Sequence, residues 1–122
     1  MPRKKLSITV LALVFFILIL NYAAMKFHWY YSLPWFDILM HFLGGIWLGA
    51  TVFYFSPGTS FIKTLGIVLA FGILWEIFEL FPHQYLERDP FNFSDSSSDI
   101  FFALLGGLFI FYFVKIKNEG NR

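Results

Sequence analysis

Apolar residues form four long runs along the chain, each of about twenty residues. An α-helix rises about 1.5 Å per residue, so a run of this length can cross a hydrocarbon core of roughly 30 Å. No alternating period and no heptad pattern competes with this interpretation. The pattern therefore predicts four membrane-spanning helices, at about 6–25, 35–55, 61–81 and 99–116.

Helix-breaking and polar segments separate the runs, namely Ser32-Leu33-Pro34, Ser56-Pro57-Gly58 and the outer loop 82–98. The predicted fold class is all-α, a polytopic four-helix transmembrane bundle forming a single membrane domain over 1–122. Composition agrees, because hydrophobic types make up 58% and charged types only 14% of the chain. A soluble domain needs a more polar surface than that.

Charge and cysteine content exclude several functional classes. The net charge is +1, and the basic residues lie at chain ends and in short loops, so no nucleic-acid partner is expected. With no cysteine there is no disulfide, thiolate metal site or cysteine nucleophile. The expected partner is the lipid bilayer, with a lipid or lipid-linked head group as a further candidate.

The distribution of Lys and Arg predicts the orientation in the membrane. Only Lys26 and Arg88 fall on one side, and seven fall on the other: Arg3, Lys4, Lys5, Lys63, Lys115, Lys117 and Arg122. We therefore expect a multi-pass protein of the inner (cytoplasmic) membrane with both termini cytoplasmic. The first run is too long for a signal peptide and is expected to be an uncleaved anchor. Aromatic residues at the outer interface support the orientation: Trp29, Tyr30, Tyr31 and Trp35.

Ionisable side chains occur in pairs at the outer ends of three spans. Each costs roughly 2.5–3.5 kcal/mol at a helix centre, so they are functional candidates. The pairs are Asp37 with His41, Glu76 with Glu79, and Asp95 with Asp99. Spacings of three or four place the members of each pair on one helix face. At 1.5 Å per residue, His41 and Glu76 should lie roughly 8–9 Å below the outer boundary.

Small residues continue the same helix faces inward. Gly45 and Gly49 follow His41 at steps of four, Ala103 and Gly107 follow Asp99, and Gly72 precedes Glu76. Small residues let membrane helices approach closely. Each polar pair should therefore lie on the packing face of its helix, while the first span packs as a lipid-facing support.

The charge of this group predicts a bound cation. Five carboxylates and a neutral histidine total −5, and Lys26 and Arg88 together could offset only two charges. Carboxylates this close cannot all ionise without a compensating cation. Oxygen donors with one imidazole suit Mg²⁺, Mn²⁺ or Zn²⁺. The predicted metal ligands are Asp37, His41, Glu76, Glu79, Asp95 and Asp99, with Glu76 or Glu79 as a catalytic base if the protein is an enzyme.

Other interpretations of these residues remain open. The group could be a hydrogen-bonded plug of protonated carboxylates, or a non-enzymatic metal or proton site in a sensor, accessory subunit or ion pathway. The inner halves of the spans are apolar, which disfavours a path through a monomer. Ser94 or Asp95 could cap the fourth helix, and His83 could join the site.

The polar motifs resemble those of YjdF-like bacterial inner-membrane proteins and, more distantly, VanZ-like membrane proteins. The resemblance rests on Asp37-Ile-Leu-Met-His41, Trp75-Glu76-Ile-Phe-Glu79 and Asp95-Ser-Ser-Ser-Asp99, and it covers residues 35–110. It implies that the six acidic and histidine residues are signature positions, without implying a reaction. This chain differs in being shorter than typical YjdF-like proteins and in carrying His83.

Overall fold

All regular structure in the described part of the chain is helical. The computed structural model describes residues 2–33, 35–85 and 93–120, and of residues 30, 31, 79–85, 93–95 and 118–120 it describes the backbone alone. The helices are α1 (Arg3–Phe27), α2 (Trp29–Ser32), α3 (Phe36–Phe55), α4 (Phe61–Tyr85) and α5 (Phe93–Gly120). The predicted all-α class is confirmed.

Four segments of the described helices are long and apolar enough to cross a membrane: Arg3–Phe27, Phe36–Phe55, Phe61–Phe78 and Ser96–Lys117. Each overlaps one predicted span. Large apolar side chains lie on their outer surfaces, with Phe15 61% and Ile62 80% exposed. An apolar surface of this extent is suited to lipid, because a soluble protein rarely exposes one.

The helices around the outer loop are longer than the hydrophobic pattern predicts. Of the segment 82–98, residues 82–85 continue α4 and residues 93–98 begin α5, while 86–92 lie outside the described residues. Serine and aspartate are favourable near a helix N-terminus, so a polar stretch can still open a helix. Asp95 consequently lies in the first turn of α5 and does not precede the helix as a cap.

Local backbone contacts define where α1 ends and α4 begins. His28 adopts a left-handed conformation with φ 59°, and its N–H donates to the carbonyl of Ala24, which ends α1. At the start of α4, the Lys63 N–H donates to Ser60 Oγ at 3.1 Å. Such a cap satisfies one of the free N–H groups of a helix start. The first residues of α1 and α4 pack near the end of α3, as Leu6 and Phe61 do beside Phe53, so α1 and α4 run antiparallel to α3.

Helices α3 and α5 form the central pair and run in the same direction. Gly45 of α3 lies against the backbone of Ala103, and Gly106 of α5 lies against the backbone of Phe42. A Cβ at either glycine would overlap a carbonyl oxygen of the other helix. Only glycine permits this approach, so the small residues of the second and fourth predicted spans do lie on packing faces, and the structure shows that these two faces pack against each other.

Helices α1 and α4 pack against this central pair. On α4, Val68 lies beside Gly107 and Gly72 faces Ile100 of α5. On α1, only Leu6 and Ala24 are buried, as expected for a helix that mainly faces lipid. Leu6 joins the main core cluster, which lies toward the ends of α3 and α5 opposite His41 and also contains Ile46, Ala50, Phe53, Ile110, Phe111 and Val114.

Candidate metal centre

The first two residues of the site lie one turn apart on α3. Asp37 is in the first turn of this helix, and His41 follows by four residues. Their side chains therefore project from one face. His41 Nε2 lies 3.4 Å from Asp37 Oδ1. The predicted pairing of these two side chains is thus seen directly.

The third residue comes from α5. Asp99 Oδ2 lies 3.4 Å from His41 Nε2, the same nitrogen that faces Asp37. The register follows from the glycine contact one turn deeper, because Gly45 and Ala103 touch and lie four residues beyond His41 and Asp99. The close packing of α3 and α5 therefore brings the two side chains together. We call Asp37, His41 and Asp99 the Asp–His–Asp cluster.

Burial varies across the cluster. The Asp99 side chain is 4% exposed, that of His41 14% and that of Asp37 38%. Among the residues whose side chains are described, Thr64 and Asp99 are the buried polar ones. Thr64 satisfies its hydroxyl within α4 by donating to the Ser60 carbonyl at 3.0 Å. Asp99 instead directs its carboxylate across the interface toward His41 of α3. Asp37 is the most exposed member, so the cluster is accessible from the surface on its side.

The geometry suits a small cation. One potential ligand atom from each cluster residue lies within 4.8 Å of the others. Ligands about 2.1 Å from a tetrahedral Zn²⁺ stand about 3.4 Å apart, and both measured separations from Nε2 are 3.4 Å. If Nε2 carries a lone pair, three electron-rich atoms face each other. A shared cation relieves that repulsion, and two carboxylates with an imidazole are donors for Zn²⁺ or Mn²⁺.

The other predicted site residues stand apart from the cluster or outside the described side chains. Glu76 is half-buried and follows Gly72, which faces Ile100, by one turn. It lies in the C-terminal half of α4 but is not one of the three residues whose ligand atoms converge. The side chains of Glu79, His83 and Asp95 lie outside those described. Ligation by Glu76, Glu79 and Asp95 stays a prediction.

Two features that position the cluster were missed at the level of sequence. Phe36 is 2% exposed and packs edge-on against Trp29 and Trp35, with ring centroids 5.6 and 6.2 Å away. It anchors the backbone directly before Asp37, whereas the sequence pattern places the neighbouring aromatic residues only at the membrane interface. The small-residue stripe on the fourth span does not include Gly106, although the adjacent glycines Gly106 and Gly107 are a signal for close packing.

Comparison with known proteins agrees with this architecture. The four apolar helices define a polytopic helical membrane protein. Residues 2–119 match the family described as a predicted membrane protein, DUF2238, and the chain belongs to this family. The match is consistent with the YjdF-like resemblance, and no comparison shows a VanZ-like relationship. No curated protein and no solved structure matches the chain.

Proposed function

We propose that this protein binds a divalent cation at the Asp–His–Asp cluster. The ion is Mg²⁺, Mn²⁺ or Zn²⁺, and Glu76, Glu79 and Asp95 are further oxygen donors near it. The six-residue set exceeds what one tetrahedral ion needs, so some of these carboxylates serve to hold water or a substrate group near the ion.

The observation that carries the proposal is the position of His41 Nε2 between two carboxylates. It lies 3.4 Å from an oxygen of each. One potential ligand atom from each of Asp37, His41 and Asp99 lies within 4.8 Å of the others, which is close enough for a single ion to contact all three.

The proposal includes an orientation. The excess of Lys and Arg at the ends of α1 and α5 supports cytoplasmic termini in a bacterial inner membrane. The Asp–His–Asp cluster then lies at the extracytoplasmic end of the helices. The motifs around Asp37, Glu76 and Asp99 also support a place for the chain among YjdF-like proteins.

Calorimetric titration of the purified protein with each metal tests the proposal. We expect one saturable ion per chain, and we expect Asp99→Asn to weaken binding at least about 100-fold. Even residues that only support metal ligands account for about 10–100-fold in affinity. Glu119→Gln is the control, because it removes a carboxylate at the opposite end of α5. Equal affinity in Asp99→Asn and Glu119→Gln would overturn the proposal.

A second candidate function is hydrolysis of an amphiphile at this centre. The exposed fraction of the Asp37 side chain, 38%, favours it, because the cluster is accessible from the end where lipid head groups lie. A bound metal would supply Lewis acidity toward a phosphoryl or ester oxygen. Glu76, from the neighbouring helix, would accept the proton of the attacking water.

The Glu76→Gln variant separates catalysis from binding. We expect it to lower the hydrolysis of phospholipids or polyprenyl phosphates by about 100- to 10,000-fold, the usual contribution of a general base. Metal affinity should change much less than in Asp99→Asn. An enzyme assay in detergent and the calorimetric titration measure the two effects. If the unmodified protein binds metal but hydrolyses neither substrate class, the hydrolase function is wrong and the protein is a non-enzymatic metal-binding protein.

A further inference from the structure

The two ends of the helix bundle carry opposite charge. Among the described residues, five acidic positions lie in α3, α4 and α5 on the side of the proposed metal centre, namely Asp37, Glu76, Glu79, Asp95 and Asp99, and Glu119 lies near the opposite end of α5. At that other side, six basic residues belong to described helix ends: Arg3, Lys4, Lys5, Lys63, Lys115 and Lys117. We call these six residues the basic end.

The basic end is one surface rather than three separate helix tips. Leu6 of α1, Phe53 of α3 and Val114 of α5 share the core cluster, and Phe61 of α4 packs against it. Phe61 also lies 5.4 Å from the ring of Phe111. Each basic residue is within about one helical turn of one of these core residues, so the charges surround a common hydrophobic anchor.

These cations are exposed, and no carboxylate among the described side chains neutralises them. All six are solvent-accessible, and none of them has a carboxylate partner among the side chains that the structure describes. Two instead lie over aromatic rings, with Arg3 4.8 Å from the Tyr54 ring centre and Lys117 5.7 Å from that of Phe113. Cation–π contacts orient a side chain without cancelling its charge.

We propose that the basic end is a binding surface for the head groups of anionic phospholipids in the adjoining leaflet. The phosphates would interact with Lys63, Lys115 and Lys117, while the acyl chains lie along the exposed apolar faces of α4 and α5. Each lysine or arginine near the surface of an anionic membrane contributes about 1 kcal/mol to the binding free energy, which corresponds to about fivefold in affinity. This role is independent of the metal centre at the opposite end.

Native mass spectrometry of the protein in neutral detergent tests this surface with two lipids, phosphatidylglycerol and phosphatidylcholine. We expect tighter binding of phosphatidylglycerol. The combined variant Lys63→Gln, Lys115→Gln and Lys117→Gln should weaken that binding about 100-fold, at fivefold per charge. Lys26→Gln is the matched control, because Lys26 is also exposed but lies at the other end of α1. The Lys26→Gln variant should bind phosphatidylglycerol with the same affinity as the unmodified protein.

Equal affinity for the two lipids would overturn the proposal, and so would an equal loss in the triple variant and Lys26→Gln. Raising the salt concentration on the unmodified protein provides a second readout that needs no substitution. Screening should weaken binding of phosphatidylglycerol and leave phosphatidylcholine unchanged. Metal titration of the triple variant should match that of the unmodified protein, so failure here and failure of the metal centre are distinguishable.

Discussion

A His41→Ala variant is expected to lose the thermal stabilisation that Mn²⁺ or Zn²⁺ gives the protein. A ligand that binds only the folded state at 100 times its dissociation constant stabilises it by about 2.7 kcal/mol. His41 Nε2 is the atom that faces both Asp37 and Asp99, at 3.4 Å from each. Without it, the two remaining carboxylates hold the ion weakly. Thermal unfolding in detergent, with metal and with chelator, measures the difference.

The chelated proteins provide the control for this prediction. Without metal, His41→Ala and the unmodified protein should differ only by the direct contacts of the imidazole. Adding metal should then raise the melting temperature of the unmodified protein and leave that of the variant in place. The same rise in both proteins would show that the stabilising ion binds elsewhere.

Gly45→Ala and Gly106→Ala are expected to destabilise the bundle and to weaken metal binding together. The new Cβ would overlap the carbonyl oxygen of Ala103 in the first variant and of Phe42 in the second. Overpacking of a tight interface costs about 1–3 kcal/mol, and a backbone neighbour cannot rotate away. Because this contact aligns His41 with Asp99, separation of α3 and α5 also separates the ligands. Equilibrium unfolding and calorimetric titration measure the two effects.

Gly44→Ala is the matched control. Gly44 is adjacent to Gly45, yet a Cβ there would meet nothing within 4 Å. Alanine is favoured over glycine in a helix by about 0.8–1.0 kcal/mol in peptide hosts, so stability should be unchanged or slightly higher. Equal destabilisation by Gly44→Ala and Gly45→Ala would contradict the packing described for α3 and α5.

The spans and the packing faces of α3 and α5 could be predicted from the sequence because each rests on a strong local signal, whereas the sequence did not indicate that these two helices form a pair. A run of twenty apolar residues has few alternatives to a spanning helix. Likewise, Gly45 and Ala103 stand at steps of four from an ionisable residue, and the structure brings both pairs together. The period of the α-helix thus places the small packing residues and the ionisable residues on the same face of each helix.

The ends of the helices and the place of Glu76 could not be predicted in the same way. Apolar patterning marks where a chain lies in lipid, whereas α4 and α5 continue as helices into polar sequence up to Tyr85 and from Phe93. Counting residues along each span predicts that Glu76 lies at the same depth in the membrane as His41. Depth alone does not specify how far α4 stands from α3, and the structure places Glu76 outside the three converging ligands.

The helix pair also explains how a chain of this size could build a metal site. Helices α3 and α5 run in the same direction with a close glycine contact, so their N-terminal parts bring side chains to the same level. Asp99 is held in a buried position and Asp37 in a partly exposed one. A rigid interface supports ligand geometry better than a loop does. The Asp–His–Asp cluster therefore depends on the packing of α3 against α5.

Elemental analysis of the protein, purified in detergent without chelators, tests the central claim most directly, with His41→Ala purified in parallel. The account predicts about one divalent ion per chain in the unmodified protein and almost none in the variant. The absence of metal from the unmodified protein, even after dialysis against Mg²⁺, Mn²⁺ and Zn²⁺, would contradict it, as would equal metal content in the two proteins.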